Sequence, residues 1–327
     1  MKVSILGGGS FGSALAQVLF DNGNDINVWC HDQETVEKFL SNDNTYIDED
    51  IKKQINVTTD ISCVKDTKFV VIVVPMFALR TSIKLAKEYL NDDSILVLCS
   101  KGLEQSTLKT GHDVIEEEVP NVYFSILSGP THAEEVAQRM FTSIVATSED
   151  INIATEVQHL FNNKYFRVYV NTDIKGVELA GAVKNILAIA AGYCDASDKF
   201  GDNTKAMMMT RGLRELKILT KMCGGTSETV YGLTGVGDLM VTAFSKHSRN
   251  RKFGELLGKG LSVEEAKREV GMVVEGYYSL QAIHELIEEN NLDLPVIELI
   301  YDAVYHEADV DELYNIASSR SLKHEGE

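Results

Sequence analysis

Two polar residues interrupt the apolar stretch GAVKNILAIAAG at residues 181–192. On an arbitrary helix, a lysine such as Lys184 more often extends along the apolar surface and keeps its ammonium group in water. The alternative is a lysine held out of water, where burial disfavours the charged form and makes its proton easier to give and take. A lysine of that second kind can act as a general acid and base. The rest of the chain must decide between the two.

A glycine motif near the N-terminus predicts a binding site for a dinucleotide. The segment KVSILGGGSFGSALAQVL has Gly7, Gly9 and Gly12 in GxGxxG spacing, after a predicted strand and at the start of a predicted helix. Gly7 permits a tight turn, Gly9 lets a pyrophosphate approach the backbone, and Gly12 permits close packing of the helix. The helix N-terminus then faces the negative charge.

The end of the second predicted strand leaves the choice of dinucleotide open. Its last residues are followed by His31 and Asp32. An acidic side chain here would bind an adenosine ribose, as in NAD sites, whereas a basic one would accept the 2′-phosphate of NADP. The two residues favour opposite cofactors, so both NAD and NADP remain candidates.

A basic segment at residues 239–254, LMVTAFSKHSRNRKFG, contains no acidic residue, although the chain has 49 acidic and 31 basic residues and a formal charge of −18. Its basic residues are Lys246, Arg249, Arg251 and Lys252. A solvated helix start is the alternative interpretation. Ser248, Arg249 and Asn250 together would bind a phosphate well, with the guanidinium bidentate and the others as neutral donors. This segment predicts a phosphorylated metabolite as ligand.

Three further segments carry candidate substrate residues. SKGLE at 100–104 and SGPTHAEE at 128–135 follow predicted strands, and ligands of open α/β sheets bind at that edge. The residues so placed to reach a substrate are Lys101, Gly129 and Thr131. GLTGVGDLMVT at 232–242 has three glycines around Asp238, although a glycine-rich loop with an aspartate cap would have the same composition.

The elements that must position these residues fall into two groups. The first half alternates β-branched runs with helical patterns, which predicts a doubly wound Rossmann sheet with helices on both faces. The predicted strands are 2–6, 25–30, 68–74, 94–99, 122–127, 142–147 and 165–170. After about residue 173, apolar residues recur only at helical intervals. We therefore predict an α/β dinucleotide-binding domain over 1–180 and an all-α substrate-binding domain over 181–327.

Composition excludes several classes of function. The charge of −18 disfavours nucleic acids and anionic membranes as partners. Five cysteines without a CxxC pair predict free thiols in a reducing compartment, and eight scattered histidines give no metal-binding spacing. The longest apolar run, at 69–79, contains Pro75 and is too short to span a membrane. We predict a cytoplasmic protein without metal or membrane insertion, whose chemistry is carried by a redox cofactor.

Taken together, these segments resemble a known family. GGGSFG, SKGLE, LSGPTHAEE, ELAGAVKNILAIAAG, FGDNTKAMMMTRGLRE, GLTGVGDLMVT, SRNRKFG and VVEG occur in the order and at about the spacing of the bacterial NAD(P)-dependent glycerol-3-phosphate dehydrogenases. The resemblance runs from residue 2 to about 315. It implies reversible reduction of dihydroxyacetone phosphate to sn-glycerol 3-phosphate for glycerophospholipid synthesis. It also implies a homodimer and a helical domain like the C-terminal domain of 6-phosphogluconate dehydrogenases.

The resemblance assigns roles to individual residues of this chain. Lys184 is implied as the proton donor and acceptor, with Lys101 and Asp238 as the other catalytic residues. The implied substrate contacts are Lys101, Gly129, Thr131, Lys184, Asp238, Ser248, Arg249 and Asn250. The implied cofactor contacts are Gly7, Gly9, Ser10, Phe11, Gly12, His31, Lys101, Ala133, Arg249, Val273 and Glu275.

The chain departs from the family pattern at three places. Residues 129–132 read Gly-Pro-Thr-His where the family has Gly-Pro-Ser-Phe, and residues 42–46 replace an Asn-Pro-Arg-Tyr segment, so that loop is expected to close differently. His31 stands where an arginine is common. The alternatives are a related dehydrogenase of the hydroxyacid, 6-phosphogluconate or ketopantoate type, and a regulatory protein that binds NAD(H) without turnover.

Overall fold

An eight-stranded sheet lies at the centre of the first half of the chain. The computed structural model describes residues 1–105, 107–322 and 324–325. The strands are β1 (Lys2–Leu6), β2 (Asp25–Trp29), β3 (Asn56–Thr58), β4 (Phe69–Ile72), β5 (Ile95–Leu98), β6 (Tyr123–Ser128), β7 (Thr142–Thr147) and β8 (Phe166–Asn171). Each of the predicted strands is present. The additional strand β3 has three residues, too few for a recognisable alternating pattern.

The order across the sheet is β3-β2-β1-β4-β5-β6-β7-β8. Neighbouring strands are parallel, as predicted, except that β6 and β7 are antiparallel. The connection between β6 and β7 contains only one short helix of five residues and does not cross back along the sheet, so β7 runs in the opposite direction. The carboxyl ends of β1, β4, β5 and β6 therefore share one edge.

Helices cover both faces of the sheet, which confirms the doubly wound arrangement. They are α1 (Ser10–Asp21), α2 (Gln33–Leu40), α3 (Glu49–Lys52), α4 (Met76–Ala86), α5 (Gly111–Glu118), α6 (Ala133–Ala137) and α7 (Ile151–Phe161), with 3₁₀ turns at Ile61–Val64 and Lys87–Tyr89. Leu15 of α1 and Phe161 of α7 belong to the core on one face. Leu79 of α4 and Val114 of α5 belong to the core on the other.

The second half of the described chain is helical, as predicted. Its helices are α8 (Ile174–Ala196), α9 (Asp202–Met222), α10 (Ser227–Val230), α11 (Asp238–Phe244), α12 (Arg249–Gly258), α13 (Val263–Val270), α14 (Glu275–Glu289), α15 (Pro295–Tyr305) and α16 (Val310–Ser318), with a π-helical turn at Leu233–Gly237. Apolar residues of these helices form one core around α8. The structure is thus a Rossmann sheet followed by a helical half.

The 23-residue helix α8 joins the two halves. It is the single described helix long and apolar enough to cross a membrane, and 94% of its most apolar window is buried inside the protein. A helix that is apolar on all sides and covered by protein is a core helix. The predicted division at residues 180 and 181 falls within α8 and stays a prediction.

Glycines bring α12 into backbone contact with α8. A Cβ atom at Gly254 of α12 would lie 1.9 Å from the carbonyl oxygen of Ile189. A Cβ atom at Gly192 of α8 would lie 1.8 Å from the carbonyl oxygen of Arg251. No larger residue fits at either position without separating the helices, so these contacts determine where α12 begins relative to α8.

We expect Gly254→Ala to destabilise the protein, because its methyl group would collide with a backbone atom that cannot rotate away. The free energy of unfolding should fall by about 1–3 kcal/mol or more, the usual effect of overpacking a core. Thermal unfolding measures it as a lower Tm. The matched control is Gly201→Ala, where an added Cβ atom would have no neighbour within 4 Å. Equal Tm values for the two variants would contradict the proposed helix contact.

Candidate active site

The glycine-rich loop after β1 has the geometry that a bound dinucleotide requires. Gly7 has a φ of +118°, a conformation that favours glycine, and a Cβ atom there would lie 2.9 Å from the carbonyl oxygen of Val73. A Cβ atom at Gly12 would lie 2.0 Å from the carbonyl oxygen of Gly7. Around Gly9, in contrast, an added Cβ atom would find nothing within 4 Å. The loop is therefore closely packed on one side and open at Gly9.

The N-terminus of α1 faces this opening. Gly9 is the N-cap residue, so no capping side chain binds the first amide groups of the helix. Ser10 and Phe11 are the first two helical residues. The first amide groups of a helix and its positive dipole end attract phosphate groups. These residues fit a dinucleotide pyrophosphate.

His31 and Asp32 lie beyond β2 and contact each other. Nε2 of His31 is 2.9 Å from Oδ2 of Asp32, and the His31 side chain is 70% exposed. The other carboxylate oxygen of Asp32 accepts a hydrogen bond from the amide of Thr35 at 2.7 Å and caps α2. An acidic and a basic side chain thus lie side by side after β2, and the choice between NAD and NADP stays open.

Two predicted cofactor residues of the helical half, Val273 and Glu275, lie just before and at the start of α14. Glu275 is its first residue, and a Cβ atom added at Gly102 would lie 3.6 Å from Oε2 of Glu275 and 3.4 Å from Cγ of Met76, the first residue of α4. Burial raises the pKa of Glu275 to about 7, although the Arg249 guanidinium opposes this shift. Ala133 is the first residue of α6. The start of α14 therefore lies beside the start of α4 and the segment after β5, at the carboxyl edge of the sheet.

Two lysines and one aspartate, distant in sequence, form a buried cluster at this edge. Nζ of Lys184 donates to Oδ1 of Asp238 at 2.7 Å, and Nζ of Lys101 donates to Oδ2 at 2.6 Å. Lys101 also donates to the carbonyl oxygen of Gly129 at 3.3 Å. Lys184 is only 6% exposed, so it is held out of water and does not extend into solvent. We call Lys101, Lys184 and Asp238 the lysine–aspartate cluster.

Burial and charge act in opposite directions on the pKa values of this cluster. Burial alone would raise the pKa of Asp238, but the ammonium groups of Lys101 and Lys184 outweigh it and hold that pKa below its usual value. Burial lowers the pKa of Lys184 to about 8; Asp238 opposes this shift and Lys101 reinforces it. Lys184 can therefore exchange a proton close to neutral pH, while Asp238 stays ionised.

Each member of the cluster comes from a different element. Lys101 follows β5 and passes over Gly181 of α8, where an added Cβ atom would lie 3.5 Å from Cγ of Lys101. Lys184 is one turn further along α8, and Asp238 is the first residue of α11. The cluster therefore connects the sheet edge with two helices of the second half.

Thr242 was not among the predicted site residues, yet it contacts the cluster. Its hydroxyl oxygen accepts a hydrogen bond from Nζ of Lys184 at 2.9 Å. The same hydroxyl donates to the carbonyl oxygen of Asp238 at 2.7 Å. The spacing of Asp238 and Thr242, four residues on one helix, is the sequence signal that could have identified it.

Ser248, Arg249 and Asn250, the predicted phosphate cluster, form the N-terminus of α12. Ser248 is the N-cap residue, and its hydroxyl accepts from the amide of Arg251 at 3.2 Å. Arg249, the first helical residue, is exposed. Its guanidinium and the positive end of α12 are suited to a phosphate group.

Asn250 is buried and links the phosphate cluster to α8 and α14. Its amide nitrogen donates to Oδ1 of Asn185 at 3.0 Å, and its amide oxygen accepts from the backbone amide of Gly276 at 2.9 Å. Because Asn185 follows Lys184 in α8, this contact brings the start of α12 beside the turn that carries Lys184. Asn185 is a second residue that the predicted site omitted.

The basic segment divides its charges between the site and the surface. Arg251 pairs with Asp195, and Nζ of Lys252 donates to the carbonyl oxygen of Glu269 at 2.8 Å. Lys246 is exposed. Of the four basic residues of this segment, Arg249 is therefore the one that we assign to the phosphate cluster at the start of α12.

The loop after β6 completes the site. Thr131 donates its hydroxyl hydrogen to the carbonyl oxygen of Gly129 at 3.2 Å, and that oxygen also accepts from Lys101.

The segment 42–46 closes over α1 and α6, since Tyr46 donates to Glu134 at 3.2 Å and Asn44 donates to Ser13 at 3.0 Å. Within the described residues, no group of three or more His, Cys, Asp or Glu side chains is arranged to hold a metal ion.

Known proteins resemble this chain over nearly its whole length. Models of the N- and C-terminal parts of the NAD-dependent glycerol-3-phosphate dehydrogenase family match residues 2–154 and 173–315. The chain belongs to this family. A glycerol-3-phosphate dehydrogenase (NAD(P)+) of Clostridium botulinum is 42% identical over 317 residues, covering 94% of each chain. One of Bacillus cereus is 41% identical over 333 residues, covering 100% of this chain and 98% of its own.

A solved structure carries the same fold. The crystal structure of glycerol-3-phosphate dehydrogenase from Coxiella burnetii has a TM-score of 0.90 and 32% identity, with 98% of this chain and 99% of that chain covered. As a member of the family, the chain has the predicted Rossmann sheet and helical half.

We expect Asp238→Asn to destabilise the protein strongly at neutral pH, because it leaves the buried ammonium group of Lys184 and the partly buried one of Lys101 without a carboxylate. Breaking a buried ion pair costs about 3–5 kcal/mol. Without Asp238 the pKa of Lys184 should fall further below its unfolded value, and stability then increases as pH rises between these two values. The deficit in Tm should therefore be smaller at pH about 9.5 than at pH about 7.

The control for this prediction is Asp50→Asn, which removes an exposed ion pair with Lys53. Exposed pairs contribute little to stability, so its Tm should change little at either pH. If the decrease in Tm caused by Asp238→Asn is the same at both pH values, the charge of Lys184 is not the cause of the destabilisation.

Proposed function

We propose that the protein reduces dihydroxyacetone phosphate to sn-glycerol 3-phosphate with NADH or NADPH, reversibly. The observation that carries the proposal is the lysine–aspartate cluster: a buried lysine with a lowered pKa is paired with an aspartate, and the next residue, Asn185, binds Asn250 of the phosphate cluster. Oxidoreductases of this kind need a proton donor, an anion site and a dinucleotide site together. The names of the relatives, glycerol-3-phosphate dehydrogenase (NAD(P)+), support the substrate and the cofactor.

Binding of the substrate begins at its phosphate group. The Arg249 guanidinium, the Ser248 hydroxyl and the N-terminus of α12 would hold the phosphate, which leaves the C2 carbonyl directed toward the lysine–aspartate cluster. Holding the reactants in this way is a large part of the catalysis. The dinucleotide would be held by Gly7, Gly9, Gly12 and the first turn of α1.

Proton transfer to the C2 oxygen is the task of Lys184. The reduced nicotinamide, when bound, supplies the hydride to C2. Lys184 donates a proton from Nζ to the developing alkoxide, and the ammonium group of Lys101 stabilises its negative charge. Asp238 holds both lysines in position, and Thr242 accepts a hydrogen bond from Lys184, which orients its Nζ atom.

The wider setting of the proposal follows from the family resemblance. We propose a cytoplasmic enzyme that acts as a homodimer and supplies glycerol 3-phosphate for glycerophospholipid synthesis, without a metal ion, nucleic acid or membrane insertion. The free thiols of the described cysteines are consistent with a reducing compartment. A dinucleotide-binding unit over 1–180 and a substrate-binding unit over 181–327 would meet within α8.

The direct test is the loss of reduced nicotinamide absorbance when dihydroxyacetone phosphate is added to the protein with NADH or NADPH. We expect turnover with this substrate and very little with unphosphorylated dihydroxyacetone, which lacks the group that Arg249 binds. Lys184→Met should lower kcat by about 10²–10⁴-fold, the usual contribution of a general acid, with NADH affinity unchanged. Lys53→Met, at an exposed position, is the control.

Other outcomes of this assay decide between the alternatives. Tight NADH binding without turnover would favour the regulatory protein. Turnover with a hydroxyacid, 6-phosphogluconate or ketopantoate instead would favour a related dehydrogenase. Near-normal turnover of Lys184→Met would remove Lys184 from the mechanism.

The pKa of Lys184, lowered to about 8, predicts opposite pH profiles for the two directions of the reaction. Reduction needs the protonated lysine, so kcat/KM for dihydroxyacetone phosphate should fall about tenfold per pH unit above that value. Oxidation needs the neutral lysine, so kcat/KM for glycerol 3-phosphate should rise with pH until the same value. Initial rates between pH about 7 and 10 measure both. A reduction rate that rises through pH 8 contradicts the assignment.

A further inference from the structure

His132 lies in the loop after β6 and contacts the second half of the chain at two points. Its Nε2 atom is 3.3 Å from the carbonyl oxygen of Val241 in α11. Its ring meets the ring of His247 edge-on, with the centroids 5.9 Å apart. Burial lowers the pKa of His132, so at neutral pH the ring is uncharged and its Nε2–H group donates to the carbonyl.

The carbonyl that His132 contacts belongs to the last turn of a short helix. Helix α11 has seven residues, and the Val241 carbonyl also accepts from the amide of Ser245 directly after the helix. A carbonyl oxygen has two lone pairs, so the His132 ring can donate a second hydrogen bond to Val241 beside the backbone bond from Ser245. His132 therefore binds the end of α11.

This position joins three parts of the site. Gly129 and Thr131, just before His132, form the loop that receives Lys101. Helix α11 carries Asp238 and Thr242, which bind Lys184. His247 directly precedes Ser248, the first residue of the phosphate cluster.

We propose that His132 is a positioning residue for the substrate pocket: its hydrogen bond to Val241 fixes the end of α11, and with it the start of α12, against the loop after β6. The spacing between the lysine–aspartate cluster and the phosphate cluster then depends on this contact. The proposal rests on the proposed function for its kinetic readout only. Lys184 and Asp238 are held by their own buried contacts, so loss of the His132 bond should loosen phosphate binding more than the proton-transfer step.

Two variants of matched length test the hydrogen bond. In His132→Gln the side-chain amide can donate at about the position of Nε2, whereas the thioether of His132→Met has nothing to donate. We expect His132→Met to raise KM for dihydroxyacetone phosphate about three- to tenfold, the effect of one hydrogen bond, with kcat and NADH affinity nearly unchanged. His132→Gln should stay close to the unaltered protein. His159→Met, at an exposed position on α7, controls for the loss of a histidine.

Amide hydrogen exchange provides a readout that does not need turnover. Residues 241–248 should exchange faster in His132→Met than in the unaltered protein or in His132→Gln, while amides of α1 stay unchanged. If the unaltered protein has no turnover, the proposed function fails and hydrogen exchange still decides the role of His132. Equal exchange and equal KM in the Gln and Met variants would overturn the proposal.

Discussion

One buried carboxylate, Asp238, holds the two halves of this protein together at the point where chemistry is expected. It accepts from Lys101, which follows the sheet strand β5, and from Lys184, which lies on the helix that joins the halves. A buried charge is unfavourable unless it is paired and hydrogen-bonded, so neither lysine can leave without strong loss of stability. Burial lowers the pKa of Lys184 to about 8 against the opposing effect of Asp238, in the range where a proton donor works efficiently.

The packing around α8 places the other ligand groups near this carboxylate. Gly192 and Gly254 let α12 touch α8 through backbone atoms, and Asn250 connects the start of α12 to the residue after Lys184. The proposed phosphate-binding groups at the start of α12 are thus held against a helix that is mostly buried. A site built on packed helices keeps its geometry better than one built on loops, and within the lysine–aspartate cluster only Lys101, after β5, comes from a loop.

Local patterns were sufficient for most elements and for the principal candidate residues. The strands of four or more residues, the dinucleotide loop and the helical second half follow from periodicity and glycine spacing, which depend on near neighbours in sequence. The antiparallel pairing of β7 does not follow from such local patterns, because the direction of a strand is determined by the path of the connecting segment. The strand β3 has three residues, too few for a recognisable pattern. Thr242 and Asn185 were absent from the predicted site because the contacts that bring them to it, with Lys184 and Asn250, are contacts between helices. Arg251 belongs to the basic segment by sequence, yet its partner Asp195 directs it away from the site.

Sequence by itself determined the fold class and the family and proposed the candidate catalytic residues, since these inferences depend on residue types and their spacing along the chain. It left Lys184 with two possible environments, because an ammonium group on an apolar helix can either extend into water or be buried. Tertiary structure decided between them: α11 supplies the carboxylate and hydroxyl partners that make burial tolerable, and these come from 54 and 58 residues away. The proton affinity of a buried group is a property of such distant partners and of the solvent they exclude, so it arises only once the chain has folded.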